Sequence, residues 1–437
     1  MKGHKHFTLL LVLALGLALV AAACGPAATP TPGPTPTPKI VKETVVVEKE
    51  KARPVVRLSG WTASPEEENL LRASLYEFSQ KYPDVVVKYE PITADYWPKM
   101  LTMVTAGTEP DIYYMDIFQF PFYASKEVLL PQDDLMAKTG TKKEDFIPSL
   151  LNAFTWKGKV YGIPKDFNTL ALFYNKKLFK DAGLKGPTDD WTWTDLKAAA
   201  AKLTDKAKKV YGVGVPADPG RFPIFVFQNG GQVMNKDFTD TLLDSPEAIA
   251  AAEFYTGLRK EGSGAIPSDV GEGWQGTAFG KGSFAMVYEG GWMIPYLKAQ
   301  FPNTEYGAVL PPAGPKSEGN LIFTVSYVIS KKSKNPEAAW TVINYLTGPE
   351  NQTTVLKSGF ALPSRKALLN DPYFKDHPIS ATVFRGAEIG TPFMWGLKGS
   401  DVNEQMGQGL ERVYLKGQSP ADAMKEAATK IRAKLKE

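Results

Sequence analysis

Short apolar runs alternate with amphipathic stretches from Pro54 onward, and this alternation predicts an α/β fold. Leu71, Leu75, Phe78 and Tyr82 recur at helical spacing after a Ser-Pro start, which predicts a helix beginning at Pro65. A second helix is predicted over about 95–106, and strands over 54–61, 84–92 and 111–116. The resulting β-α-β-α-β order implies parallel strands joined by right-handed crossovers.

The same helix-start chemistry recurs later in the chain, where Ser-Pro, Asn-Pro or Thr-Trp-Thr-Asp precedes an amphipathic stretch. The predicted later elements are helices over about 193–209, 246–260, 336–347 and 420–436, and a strand over 284–288. The roughly 380 residues from Val55 onward exceed what one hydrophobic core usually serves. Two lobes are therefore expected.

The N-terminus has the pattern of a secretory signal. Lys2 and Lys5 precede an apolar run over 7–23, which ends in small residues directly before Cys24. This ending resembles a bacterial lipobox, in which the cysteine is diacylated and becomes the mature N-terminus. We therefore expect residues 1–23 to be removed and Cys24 to carry lipid. The alternative is a retained membrane anchor, for which the run is at the lower limit of length.

A stalk is predicted between the lipid and the folded body, over 24–54. Residues 25–38 contain six prolines and no large side chain, so they are expected to form a polyproline-like spacer. The charged, valine-containing segment 39–54 is compatible with a strand, a helix or an extension of the stalk. If 25–54 were extended, it would reach on the order of 90 Å.

Charge and scarce residues narrow the chemistry. Fifty-one basic and 47 acidic residues give a net charge of +4, which does not predict nucleic-acid binding. Once residues 1–23 are removed, His377 is the one histidine left, and Cys24 is the one cysteine of the whole chain. These counts disfavour histidine-dependent catalysis and zinc sites, and they rule out a disulfide within the chain. No nucleotide-binding loop is found, so no cofactor is expected. Carboxylate chemistry or plain binding remains.

Several phrases resemble the extracellular solute-binding proteins of ABC importers, specifically the large sugar-binding family that includes the maltose- and maltodextrin-binding proteins. Their order and spacing carry the resemblance, which covers nearly all of the chain from residue 55 onward. The phrases lie at 102–116 (TMVTAGTEPDIYYMD), 158–184, 191–204 (WTWTDLKAAAAKLT), 279–292 (FGKGSFAMVYEGGW), 333–352 and 359–365 (GFALPSR).

The resemblance implies a two-lobed periplasmic-binding-protein fold with hinge strands and a ligand cleft between the lobes. The chain would cross between lobes near 166–169, 323–327 and 360–364. The lobes would be 55–166 plus 326–362 (N-lobe) and 167–325 plus 363–437 (C-lobe).

The implied function is the substrate-binding subunit of an ABC transporter. It would be a monomer, lipid-anchored in the cell envelope at the outer or periplasmic face of the cytoplasmic membrane. It would capture a mono- or oligosaccharide and deliver it to permease subunits with an associated ATPase, and it would transform nothing chemically.

A sugar site needs aromatic rings to stack on C–H faces, and carboxylates or amides to bind hydroxyls. Trp61 and Asp116 are candidates because each follows a strand of the predicted parallel sheet, where ligand sites form. The alternatives are a core-edge tryptophan and an aspartate that caps the next turn.

The remaining candidates come from the predicted crossings and from glycine-rich loops. Glu289 and Trp292 flank Gly290 and Gly291 after a strand, in a loop that the resemblance places in the sugar site; Glu289 has a helix-start charge as its alternative role. The other candidates are Asp166 and Asn168 at the first crossing, Ser326 and Arg365 at the second and third, with bracing of the hinge as their rival role, and Trp274 and Trp395, which stand among glycines.

Two other functions stay open. One is binding of a different solute, such as a glycerol phosphate or an organic anion, although loops 112–123 and 284–293 contain no Arg or Lys. The other is a glycoside hydrolase that uses Asp116 and Glu289 as its carboxylate pair.

The lipobox resemblance makes a direct prediction. In a bacterium with lipoprotein processing, the wild-type protein should partition with membranes, whereas Cys24→Ser should stay unlipidated. Mass spectrometry of the N-terminal peptide and membrane fractionation measure both properties. Recovery of the wild type as an unlipidated soluble protein would refute the assignment.

Overall fold

The computed structural model describes residues 52–62 and 65–437. The predicted signal peptide, Cys24, the stalk up to residue 51 and the serine before the first helix lie outside the described residues. Residues 52–437 form one compact unit. Within the described ranges, none of the helices combines the length and apolar character needed to cross a membrane.

The strands of the described residues fall into two main sheets and a small hairpin. In chain order they are β1 (Val55–Ser59), β2 (Val86–Tyr89), β3 (Ile112–Asp116), β4 (Thr155–Trp156), β5 (Lys159–Val160), β6 (Gly162–Thr169), β7 (Ala171–Asn175), β8 (Tyr211–Gly214), β9 (Gly264–Ala265), β10 (Phe284–Glu289), β11 (Tyr306–Val309), β12 (Asn320–Ile329) and β13 (Gly390–Pro392).

Helices cover the sheets and connect their strands. They are α1 (Pro65–Lys81), α2 (Tyr96–Ala106), α3 (Phe120–Ser125), α4 (Asp133–Thr139), α5 (Pro148–Ala153), α6 (Lys176–Asp181), α7 (Trp193–Leu203), α8 (Pro223–Gln228), α9 (Pro246–Lys260), α10 (Gln275–Gly280), α11 (Met293–Gln300), α12 (Pro336–Leu346), α13 (Pro349–Ser358), α14 (Tyr373–Asp376), α15 (Pro378–Arg385), α16 (Gly399–Lys416) and α17 (Pro420–Leu435).

The first sheet confirms the predicted β-α-β-α-β unit. Its order is β13-β12-β3-β1-β2, and β1 runs parallel to both β2 and β3. The helix between β2 and β3, α2, ends at Ala106 as predicted, and Gly107 caps it in the left-handed conformation. β12 runs antiparallel to β3 and also pairs with β6. The second sheet has the order β11-β7-β10-β8-β9.

Three predicted crossing segments lie side by side. β6 and β12 pair antiparallel along most of their length, with a register shift at Val325/Ser326. On the other side of β6, the backbone groups of Phe167 and Leu362 exchange two hydrogen bonds of 3.0 Å. Residues that lie 153 to 195 positions apart in sequence therefore form one narrow, hydrogen-bonded strip.

Most of the later helix predictions are confirmed, because their start signals are local. α9 and α17 begin at the predicted prolines, and Ser245 and Ser419 accept hydrogen bonds from the backbone as N-caps. The helix predicted over 193–209 is wrong at its end. It stops at Leu203, because the Asp205 side chain accepts the backbone N–H groups of Ala207 and Lys208 and starts a short 3₁₀ turn.

Candidate functional site

The strip formed by β6, β12 and the backbone at Leu362, called the crossing strip below, forms one wall of a cleft. The cleft lies at the carboxyl ends of β1 and β3. The cleft has an empty volume of about 850 Å³, part of which is open to solvent. Six of its lining residues are aromatic and four are charged. The lining consists of Trp61, Glu67, Asp116, Ile117, Phe118, Lys165, Asp166, Asn168, Trp292, Phe323, Thr324, Val325, Phe360, Ala361 and Phe393.

Trp61 contributes to the cleft and to the edge of the core at once. It follows β1 and forms a parallel bridge with Ile92. The edges of Tyr96 and Tyr114 pack against its ring, with centroids 5.1 and 5.2 Å away. The core-edge alternative is therefore met, and the same half-buried side chain also lines the cleft, where its ligand role stays a prediction.

Asp116 ends β3 and is 8% exposed. Its Oδ1 accepts the backbone N–H of Gln119 at 2.9 Å, so the turn-cap alternative is met while the residue also lines the cleft. Burial raises the pKa of this carboxyl well above its usual range, and hydrogen bonds from Gln119, Trp97 and Phe118 only partly oppose the shift. Asp116 is a buried acid that favours its neutral form.

Asp166 and Asn168 lie two residues apart on β6 and both line the cleft. The Oδ1 atom of Asn168 accepts the backbone N–H of Gly291 at 3.0 Å, which fixes the loop before Trp292 against β6. A side chain at 291 would place its Cβ 2.6 Å from that oxygen. The close approach that the glycines predict is therefore present.

Glu289 is fully buried at the end of β10 and lies behind the cleft wall. Its Oε1 accepts the indole N–H of Trp274 at 2.7 Å and the amide of Gln275 at 3.0 Å. Its Oε2 accepts the indole N–H of Trp292 and a guanidinium N–H of Arg221, both at 2.6 Å. This carboxylate orients the ring of Trp292, which lines the cleft, with the Arg221 guanidinium 5.7 Å from the ring centroid.

Four other predicted residues are placed away from the cleft lining. Trp274 packs its ring against Tyr296, 4.7 Å between centroids, and reaches the site only through Glu289. Trp395 is 3% exposed and donates its indole N–H to Asn403 at 2.7 Å. Both tryptophans pack against protein groups in this structure.

Ser326 and Arg365 take positions that fit bracing of the crossing strip. Ser326 is fully buried on β12 and donates to the carbonyl of Met115 at 3.3 Å. Arg365 donates to the carbonyl of Thr347 at 2.6 Å, and its guanidinium stacks 4.1 Å from the ring centroid of Phe146. These contacts match the alternative role that the sequence left open, which is bracing of the hinge.

The cleft also contains residues that the sequence reasoning missed. Phe323 and Phe360 had a signal, because each begins a predicted crossing segment. No sequence signal indicated Phe118 or Phe393, because their position depends on an edge contact between their two rings, whose centroids are 5.9 Å apart. Lys165 and Glu67 were not predicted either. Among the described residues, no group of three or more His, Cys, Asp or Glu side chains is arranged to hold a metal ion.

Comparison with known proteins gives consistent matches. The profile of the bacterial extracellular solute-binding proteins matches residues 73–382. A putative binding protein of Brucella abortus is 27% identical over 369 residues, which cover 82% of this chain and 88% of that protein. The diacetylchitobiose binding protein DasA of Streptomyces coelicolor is 27% identical over 348 residues, or 77% of this chain and 80% of DasA.

Solved structures match nearly the whole described chain. An ABC substrate-binding protein from Listeria monocytogenes, in complex with cycloalternan, has a TM-score of 0.82 at 25% identity and covers 88% of this chain and 99% of its own. A Thermotoga lettingae ABC transporter solute-binding protein bound with α-D-tagatose has a TM-score of 0.79 at 25% identity, covering 87% and 99%. The predicted two-lobed α/β fold is confirmed.

The buried Asp116 predicts a pH dependence of stability in the ligand-free protein. A carboxyl whose pKa is raised on folding keeps its proton when the unfolded chain has lost it, so stability falls as pH rises above about 4. Asp116→Asn should remove this loss, and the difference in melting temperature between variant and wild type should grow with pH. Asp84→Asn, at an exposed site, is the control. A constant difference between pH 4 and 7 would contradict the assignment.

Proposed function

Because this chain belongs to the family of bacterial extracellular solute-binding proteins, we propose that it is the solute-binding component of an ABC importer and that its ligand is a sugar. The observation that carries the proposal is the pairing, in one cleft, of aromatic rings with carboxylate and amide groups. Rings stack on the apolar faces of a sugar, while Asp116, Asp166 and Asn168 bind hydroxyls.

The lining of the cleft and the ligands of related proteins support a mono- or oligosaccharide. Aromatic rings and hydrogen-bonding side chains line the same cleft, as sites for small polar ligands require. Proteins that resemble this chain are described as binding diacetylchitobiose and cycloalternan. The chemistry shared by these ligands is a set of hydroxyl-bearing rings.

The geometry favours binding over hydrolysis. A glycosidase needs one carboxyl to protonate the leaving group and a second to act on the sugar. Both oxygens of Glu289 accept hydrogen bonds from protein donors, and Glu289 does not line the cleft. Asp116 therefore has no free partner in the pair that the sequence suggested. The protein returns its ligand unchanged.

Delivery of the ligand requires partners outside this chain. Permease subunits with an associated ATPase supply the path and the energy, while Cys24 carries a lipid that holds the protein at the outer face of the membrane. The receptor acts as a monomer. The anchor is supported by the lipobox-like sequence, and the permease by the family.

We further propose that the lobes, 55–166 plus 326–362 and 167–325 plus 363–437, close over the ligand. The three crossing segments lie next to one another, and the register shift on β12 falls beside the cleft residue Val325. A narrow strip of this kind permits bending while its hydrogen bonds persist.

Closure predicts a change of shape on binding. A saturating sugar should reduce the radius of gyration measured by small-angle X-ray scattering, because the lobes approach and water leaves the cleft. The same sugar added to Trp292→Ala, at a concentration too low to saturate that variant, is the control. An unchanged curve at full occupancy of the wild type would remove the closure mechanism and leave the binding site standing.

The stacking role of Trp292 predicts a large loss of affinity. Titration calorimetry against a carbohydrate panel should identify a ligand for the wild type. Trp292→Ala should then weaken binding by about 2–4 kcal/mol, roughly 30- to 1000-fold in Kd. Trp156→Ala, at a half-buried tryptophan outside this cleft, should leave Kd unchanged.

Thermal melting of the ligand-free Trp292→Ala variant separates binding from packing. A nearly preserved melting temperature with lost affinity supports the stacking role. A large drop in melting temperature with near-normal affinity would identify Trp292 as a packing residue instead.

A further inference from the structure

A buried lysine forms part of the cleft wall. Lys165 lies on β6 next to Asp166, and its side chain is 13% exposed. Its Nζ contacts the Oδ2 of Asp166 and lies 3.5 Å from the Oε1 of Glu67 on α1. The ring of Tyr114 on β3 faces the same nitrogen, 5.1 Å from its centroid. One cation is thus shared by two carboxylates and an aromatic face.

The charges around Lys165 explain why it stays ionised. Burial by itself would lower the pKa of this amine, but Asp166 and Glu67 more than offset that effect and raise it. The other titratable groups that face it are Tyr114 and, on β12, Tyr327, whose pKa values burial raises, so both phenols are neutral. The ammonium of Lys165 therefore lies among two carboxyl side chains, Asp166 and Glu67, and two neutral phenols.

This charge balance argues against an anion site. A lysine that recognises a ligand carboxylate or phosphate needs positive charge to spare, and here two protein carboxylates already take it. The backbone around it is also held, since Gln352 donates to the carbonyl of Lys165 at 2.8 Å and Thr324 donates to that of Asp166 at 2.7 Å. Asp166 remains the member of the cluster best suited to accept hydrogen bonds from hydroxyls.

We propose that Lys165 is a positioning residue: its ammonium holds the carboxylate of Asp166 directed along the cleft wall, and Glu67 in turn fixes the ammonium. This inference rests on the proposed function, because it assigns Asp166 the acceptance of ligand hydroxyls. The ligand contacts Asp166, and the lysine acts through it.

Lys165→Met tests the proposal through a pH profile. Without the ammonium, two carboxyl groups share a buried place, and one of them takes up a proton more readily. The ratio of variant to wild-type Kd should therefore be at least about tenfold larger at pH 5 than at pH 8. Using the ratio cancels the contribution of Asp116, which lines the same cleft in both proteins.

The double variant Lys165→Met/Glu67→Gln serves as the decisive comparison. It removes the ammonium of Lys165 and also the carboxylate of Glu67, so the cluster keeps the net charge of the wild type. The Kd ratio should lose most of its pH dependence, and the double variant should fold where the single variant proves unstable. Lys88→Met is the matched control, since that exposed lysine pairs with Glu90 at 2.9 Å and should leave the ratio flat.

A ligand-free measurement separates this proposal from the sugar assignment. In Lys165→Met the folded state retains a proton that the unfolded chain releases near pH 4, so its melting temperature should fall relative to wild type between pH 5 and 8. If no sugar binds the wild type, the proposed function fails. The melting profile of Lys165→Met still shows whether loss of the ammonium makes one of the two carboxyl groups keep its proton.

Two results would overturn the inference. One is a loss of affinity in Lys165→Met that is equal at all pH values and persists in the double variant, which would make Lys165 a direct ligand contact or a purely structural residue. The other is a melting profile parallel to wild type from pH 5 to 8. Two results support the inference: a flat pH profile of the Kd ratio when Glu67→Gln is added to Lys165→Met, and a flat profile when Lys165 is replaced by arginine (Lys165→Arg).

Discussion

The pairing of β6 with β12 is the constraint on which the site depends. β12 pairs with β3 on its other side, so the strip fixes the carboxyl end of β3, and with it Asp116, relative to Asp166. β6 also leads within one residue into β7 of the second sheet. Backbone hydrogen bonds between distant segments thus bring these strand ends together, and side-chain contacts then orient the residues that line the cleft.

Buried charge gives the site its rigidity. Glu289 holds two tryptophans through one carboxylate, while Lys165 is held between Asp166 and Glu67. Each network is costly to desolvate, and its hydrogen bonds and ion pairs offset that cost. Such groups have few alternative arrangements. The aromatic and polar surfaces of the cleft are therefore pre-organised, which reduces the ordering cost of binding.

The sequence predicted what local chemistry determines, and it failed where distant partners decide. Ser245 caps α9 because the Ser-Pro start needs no tertiary contact. Trp292 and Trp395 both stand beside glycines, yet one lines the cleft and the other donates to Asn403 inside the fold. The neighbouring glycines do not distinguish them, and only the family resemblance of segment 279–292 favoured Trp292. The role of Glu289 was equally hidden, because its partner Arg221 lies 68 positions away.

The hydrogen bond from the backbone of Gly291 to Asn168 has a consequence for how the site can change over evolution. The loop is fastened through its main chain at 291, and this hydrogen bond does not require a particular side chain at 292. A mutation at 292 therefore alters the lining of the cleft while the anchor at 291 remains. A Cβ at 291 would lie 2.6 Å from the Oδ1 of Asn168, so a larger residue at 291 would push that amide away and weaken the fastening. Variation at 292 leaves this main-chain hydrogen bond in place, so the lining of the cleft can change there in single steps.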